Sequence, residues 1–195
     1  PRRKVANLTQ NQATPESAKP SETPQILAKL KNKEITVSQP ENIEELANRG
    51  YGTKHNNKLT LAYHEALYLQ SKSIIQVQQT KPKKTLNFQQ LLDRYKAHDP
   101  NAWAKYLIYR DLRSRGYVTR EGFGQNISFR MYERGEYGTA AATYLVFGIQ
   151  GGQPVSMEEL TRTLKHVHSL KKHLVLAVLN RRGEVVYYSL SKLTM

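Results

Sequence analysis

The chain has no cysteine among its 195 residues, which excludes disulfides and thiolate metal sites and fits a reducing compartment. Long apolar runs are also missing. The longest strongly apolar stretch, LVLAVL at 174–179, has the length of a strand and not of a membrane span. No apolar signal core stands near the N-terminus, so the expected location is the cytoplasm. Acidic residues are scarce: 16 Asp and Glu face 30 Lys and Arg, for a formal net charge of +14. That excess favours an anionic partner, nucleic acid ahead of a membrane surface. Familiar catalytic spacings are absent as well, with no P-loop, no G-x-G-x-x-G after a strand and no H-E-x-x-H. His166, His168 and His173 are close in sequence, but the first two stand about 200° apart around a helix and cannot clasp one ion. No metal and no cofactor is expected.

What is present reads as an ordered α/β chain behind a tail. Residues 1–24 carry prolines, a basic start and almost no large apolar side chain, so burial cannot offset their ordering entropy and a disordered basic tail is expected. Residues 25–95 read as a small N-terminal α/β domain. EITVS (34–38) and SIIQVQ (73–78) are its strands, and ENIEELANRG is a helix ending at Gly50. LTLAYHEALYLQ reads as a second helix on the spacing of Leu61, Ala62, Glu65, Ala66 and Leu69. A basic turn, QTKPKKT, then leads to a third helix that Asn87 caps.

A mixed-sheet domain is expected over 96–195. Its first helix is predicted to start at Asp99-Pro100 and stop at Gly116. Period-two patterns in NISFRMYE and TYLVFGI predict strands. SMEELTRTLKHVHSLKK predicts a helix with a capping box, Ser156 to Glu159, and an apolar stripe of Met157, Leu160, Leu164 and Val167. HLVLAVLN, the turn RRG and EVVYYSL predict a closing hairpin.

Composition alone makes Tyr132 a packing residue and the pair Lys171–Lys172 a solvated surface. A wider likeness changes that. KYLIYRDLRSRGY (105–117), GFGQNISFRMYERG (122–135), TYLV (143–146), HSLKKHLVLAVLNRRGEVVYY (168–188) and LTLAYHEALYL (59–69) resemble the archaeal tRNA-intron splicing endonucleases over roughly residues 30–195. The resemblance implies an N-terminal α/β domain followed by a nuclease-like C-terminal domain of that type, with subunits pairing through their last strands. It implies metal-independent cutting of precursor tRNA at bulge-helix-bulge junctions, leaving a 2′,3′-cyclic phosphate and a 5′-hydroxyl. Such a reaction needs a base at the 2′-hydroxyl, an acid for the departing 5′-oxygen and a cation for the crowded phosphorane. The family supplies tyrosine, histidine and lysine in those roles. The tyrosine matches Tyr132 and the lysine matches Lys172.

The histidine is not matched. Where the family reads HSxYLV this chain reads AATYLV, so Ala141 holds the acid's position. The preceding loop, GEYGTA, is about one residue shorter than the family form, and His168 matches a non-catalytic family histidine. The family's penultimate turn is acidic and docks into a basic pocket of the opposite subunit. Here Arg181 and Arg182 replace its carboxylates and only Glu184 remains, which disfavours simple self-assembly. With Val186 and Tyr188 of the last strand, these form the expected subunit interface. Lys165 stands where the family has a base-clamping arginine, and an ammonium lacks the plane that stacks on a base. Expected RNA contacts are Arg110, Arg113, Arg134, Lys165 and Lys171 beside Lys172.

Three readings follow. First, the chain is a structural, non-catalytic subunit that partners a catalytic one in a heterotetramer, which explains all three departures. Second, it is a catalytic endonuclease, homo-oligomeric in that case, carrying an inactivating His-to-Ala substitution at 141. Third, it is an RNA-binding protein with no role in cleavage.

Overall fold

The computed structural model describes residues 25–123 and 127–191; the tail expected over 1–24 lies outside the described residues. Alternation builds the first sheet. In β1 (Ile26–Lys31) Ile26, Ala28 and Leu30 point inward and Leu27, Lys29 and Lys31 outward. A short turn leads to β2 (Glu34–Val37), and α1 (Pro40–Asn48) buries Ile43 and Leu46. Next come β3 (Thr53–His55) and β4 (Lys58–Leu61), joined by Asn56 and Asn57. Both asparagines have positive φ, 45° and 57°, as a two-residue type I′ hairpin requires. Then follow α2 (Tyr63–Ser71), β5 (Ile75–Gln79), β6 (Lys84–Leu86) and α3 (Phe88–Lys96). The strand order is β3-β4-β2-β1-β5-β6, with β1 and β5 parallel and the other pairs antiparallel.

The second half starts with α4 (Ala102–Ser114), followed by β7 (Val118–Glu121), β8 (Phe129–Tyr132) and β9 (Tyr144–Gln150). A crossover through α5 (Met157–Ser169) returns the chain to β10 (His173–Leu179), parallel to β9, and β11 (Val185–Leu190) closes the hairpin at the sheet edge. The order is β11-β10-β9-β8-β7; this sheet is mixed, as expected for the C-terminal half, and the N-terminal sheet is mixed as well. Two cores cover its faces. Val167 of α5 packs with Leu145, Phe147, Leu174 and Leu176 on one side. On the other, Tyr106, Ile108 and Leu112 of α4 join Phe129, Val146 and Ala177 in a core continuous with the N-terminal half.

Several elements differ from the sequence expectation. LTLAYHEALYLQ is not one helix: Leu59 and Leu61 alternate inward in β4 against Val37 and Ile35, and the helix begins only at Tyr63. Strand pairing overrides helical spacing there because two leucines fill the sheet's inner face. Asp99 does not cap α4, which starts at Ala102; its carboxylate instead accepts from the Asn101 amide at 2.8 Å and from Lys105 Nζ at 2.6 Å. β1, β3, β6 and β7 were not anticipated. Asn87 caps α3 as expected, accepting from the Gln90 amide at 2.9 Å. Ser156 accepts from the Glu159 amide at 3.0 Å, but Met157 is 75% exposed and stands off the apolar stripe.

The seam between the halves is tight and partly polar. A Cβ on Gly50 (φ +77°) would sit 2.5 Å from Val118 Cγ1. Glu65 of α2, almost fully buried, meets Arg120 of β7 at 3.1 Å. The carboxylate also accepts from the amides of Ala62 (2.9 Å) and Gly52 (3.2 Å), while Arg120 donates to Gly50 O (3.1 Å) and Thr53 Oγ1 (2.9 Å). Beside them His64 is buried among the rings of Tyr109 (4.7 Å), Phe129 (5.1 Å) and Tyr95 (6.5 Å), and its Nε2 has no hydrogen-bond partner. Burial, with Lys105 and Arg120 nearby, lowers its pKa to about 3. Among the described residues no helix is long and apolar enough to cross a membrane.

Candidate active site

Register brings the two matched residues level. Met131 of β8 pairs with Tyr144 of β9, and Tyr144 pairs with His173 of β10. One step further, Tyr132, Thr143 and Lys172 align across the strand ends, and the His173 amide donates to Thr143 O at 3.1 Å. With neighbouring strands about 4.8 Å apart, the backbones of Tyr132 and Lys172 lie roughly 10 Å apart, one strand between them. Alternation also sets the face. Leu145 and Leu174 lie under α5, so Thr143 and Lys172, two residues earlier and just ahead of β9 and β10, open onto the α5 side, and so does Tyr132 opposite Thr143.

The end of α5 delivers the lysine. Lys171 takes a left-handed conformation (φ 54°), its amide donates to His168 O (2.9 Å), and the Lys172 amide donates to Val167 O (3.2 Å). This Schellman-type stop turns the chain from helix to strand in two residues. Half-buried, Lys172 directs its ammonium onto the carbonyl of Ala142. The lysine therefore touches the residue next to Ala141, which belongs to the same small region. Ala141 itself is exposed.

The loop between β8 and β9 folds back on itself. Glu136 O accepts from the amides of Thr139 (3.1 Å) and Ala140 (2.9 Å), and Gly138 supplies a φ of +90°. Tyr137 turns inward and meets Tyr132 edge-to-face, with ring centroids 5.1 Å apart. A Cβ on Gly50 would also lie 3.3 Å from the Tyr137 ring, so the tyrosine is held between the seam and Tyr132. Sequence reading missed Tyr137; an aromatic inside a glycine-bounded loop was its only signal.

The expected RNA contacts divide between the faces. Lys165 and Lys171 are exposed on and just after α5, on the Lys172 side. Arg134 follows Tyr132 by two residues, donates to Arg115 O at 2.7 Å and lies 5.3 Å from the Tyr117 ring. Arg110 and Arg113 belong to α4, which packs on the opposite face. Arg110 is exposed, 5.8 Å from the Tyr106 ring. Arg113 sits 4.1 Å over the Tyr51 ring and donates to Arg49 O at 2.9 Å, so its guanidinium is engaged in the seam. His173 alternates away from Lys172 toward Tyr144, 5.7 Å between rings. Among the described residues no three His, Cys, Asp or Glu side chains come together as a metal site.

The expected interface residues lie at the free edge. β11 is outermost, with Val186 44% and Tyr188 54% exposed. Tyr187 faces inward and donates to Asp111 Oδ2 at 2.8 Å, fixing the edge strand to α4. In the turn before it, Asn180 Oδ1 accepts from the amides of Arg182 (2.9 Å) and Glu184 (3.0 Å), and Asn180 Nδ2 donates to Glu184 Oε2 (2.7 Å). Glu184 is thus held by its own turn, while Arg181 and Arg182 are exposed.

Two family models match the chain: tRNA intron endonuclease, N-terminal domain, over residues 26–92, and tRNA intron endonuclease, catalytic C-terminal domain, over 102–187. The chain belongs to the tRNA intron endonuclease family. It is 36% identical to the tRNA-splicing endonuclease of Methanococcus maripaludis over 178 residues, 91% of this chain and 99% of the relative. Identity to the corresponding protein of Methanococcus vannielii is also 36%, over the same shares. With the tRNA-splicing endonuclease of Pyrococcus horikoshii it is 33% over 141 residues, 72% of this chain and 80% of that one. The family is one of enzymes.

Proposed function

We propose that the chain is the structural, non-catalytic subunit of a tRNA-splicing endonuclease that excises introns from precursor tRNA at bulge-helix-bulge motifs. Ala141 carries this reading. In the reaction the 2′-oxygen attacks phosphorus, the bond from phosphorus to the 5′-oxygen breaks, and the departing oxygen needs a proton. Tyr132 can accept the proton of the 2′-hydroxyl and Lys172 can offset charge on the phosphorane, but a methyl group has no proton to give. Proton donation to the leaving group therefore falls to the site of a catalytic partner subunit.

The reversed charge of the 180–184 turn supports a hetero-oligomer. Arg181 and Arg182 suit an acidic pocket on a different chain, and the edge of β11, with Val186 and Tyr188, can add to that chain's sheet. Lys165, Lys171 and Lys172, with Arg134, are the RNA-facing cations of the α5 side. A second reading rests on the level placement of Tyr132 and Lys172: the chain is itself catalytic and Ala141 is an inactivating substitution.

Reconstitution separates these readings. Cleavage of a bulge-helix-bulge RNA is measured for this chain alone, for Ala141→His, and for the chain mixed with a catalytic-type partner. The proposed function expects cutting only with the partner. Cutting by Ala141→His alone contradicts it and supports the second reading. RNA binding without cutting in any arrangement would leave an RNA-binding protein outside cleavage.

A further inference from the structure

We propose that one end of the N-terminal sheet is a second RNA-binding surface that grips the phosphodiester backbone of the substrate away from the cut. The proposal rests on reading the chain as a subunit that binds precursor tRNA. Because β1 and β5 run parallel, the turns that follow them emerge side by side. Thr80 locks them together, its amide and its hydroxyl each donating to Leu30 O at 3.0 Å. Between the turns lies a cavity of about 490 Å³ whose polar lining includes Lys31, Asn32, Thr80, Lys81 and Arg94. Arg94 is oriented toward it by a bond to the Gln79 amide oxygen, and the Gln79 Nε2 donates to Lys81 O at 2.7 Å.

Charge defines the occupant. Lys33, Lys83 and Lys84 are exposed beside the cavity, which raises the cations at this end to six with Lys31, Lys81 and Arg94. None of the six is in a salt bridge among the described residues. The acids near them are Glu34, opposite Lys31 in the hairpin, and Asp93, which accepts from Gln89 at 2.8 Å. A row of polar side chains continues over the outer face of the sheet, with Thr60, Thr36, Lys29, Gln78 and Thr85 in cross-strand register. This row holds hydrogen-bonding groups and a cation but no aromatic ring on which an unpaired base could stack. The chemistry is therefore that of phosphate and sugar contact, which positions a duplex without reading its sequence.

The test compares the full chain with Lys31→Gln/Lys81→Gln/Lys83→Gln and with a control of equal charge, Arg49→Gln/Lys54→Gln/Arg162→Gln. The control cations are exposed and already face Glu45, Glu44 and Glu158. Affinity for precursor tRNA is measured over a range of salt. Each lost phosphate contact reduces the slope of log K against log salt by roughly 0.7–0.9, so the triple variant should be shallower by about 2–3 and the control unchanged. Lys33→Gln/Lys83→Gln, at the turn tips, gives the same readout with smaller risk to folding. A wild-type slope in both variants overturns the proposal and leaves the proposed function standing. Wild-type protein that does not bind precursor tRNA overturns both. Unchanged RNA binding with lost assembly onto the partner subunit would assign the surface to an acidic protein and also overturn it.

Discussion

Acid should loosen the seam between the two halves, and His64 is the reason. It is buried against Tyr109, Phe129 and Tyr95, with Lys105, Arg120 and Asp99 as the charges acting on it. Its pKa falls from the ordinary 6.5 to about 3 in the folded chain. Between those values the unfolded chain binds the proton and the folded chain does not. The stability this histidine contributes is therefore complete above pH 6.5 and declines as pH falls toward 3. At pH 5 the loss is about 2 kcal/mol, from 1.36 kcal/mol per pKa unit, or roughly 4–8 °C in Tm for a chain of this size. Glu65 opposes it: burial raises its carboxyl pKa, so the folded state gains slightly on acidification. Comparing wild type with His64→Phe removes that contribution from the difference. Urea melts at pH 8 and pH 5 should show the wild type losing about 2 kcal/mol more than His64→Phe. Equal losses in the two proteins would refute the reasoning.

Other consequences are equally direct. Arg120→Ala leaves the Glu65 carboxylate buried without its cation and should cost about 3–5 kcal/mol in denaturant melts, whereas Lys54→Ala, which breaks an exposed pair with Glu44, should cost under about 1 kcal/mol. Tyr187→Phe removes the hydrogen bond from the edge strand to Asp111 and should lower stability by about 1.5–3 kcal/mol, read by thermal unfolding. Arg181→Asp/Arg182→Glu restores an acidic turn, and sedimentation should show increased self-association; an unchanged sedimentation coefficient would remove the charge argument for a hetero-oligomer.

How far the sequence led depended on the kind of signal. Helices with local stop and start chemistry were legible: Asn87 caps α3, and Ser156 begins α5. LTLAYHEALYLQ misled because Leu61 satisfies helical spacing and strand alternation alike, and only the pairing of Leu59 and Leu61 with β2 decides between them. β3 and β6 are three residues each, too short to show a period. Tyr132 and Lys172 became candidates through the family likeness alone, since a tyrosine on a strand and a lysine after a helix say nothing individually. Their level alignment depends on register across three strands, which no local pattern encodes. The seam is of the same kind: Glu65 and Arg120 are 55 residues apart, and neither announces the other.

On the proposed function, Ala141 stands without an acid because catalysis belongs to a partner subunit. Single-turnover cleavage of a bulge-helix-bulge RNA by Ala141→His, without any other subunit, tests it most directly. Restoring a working proton donor to an otherwise competent site raises the rate about 10²–10⁴-fold. No such increase is expected, and cleavage should appear only when a catalytic-type subunit is added. A rise of that size in the unaccompanied variant would contradict it.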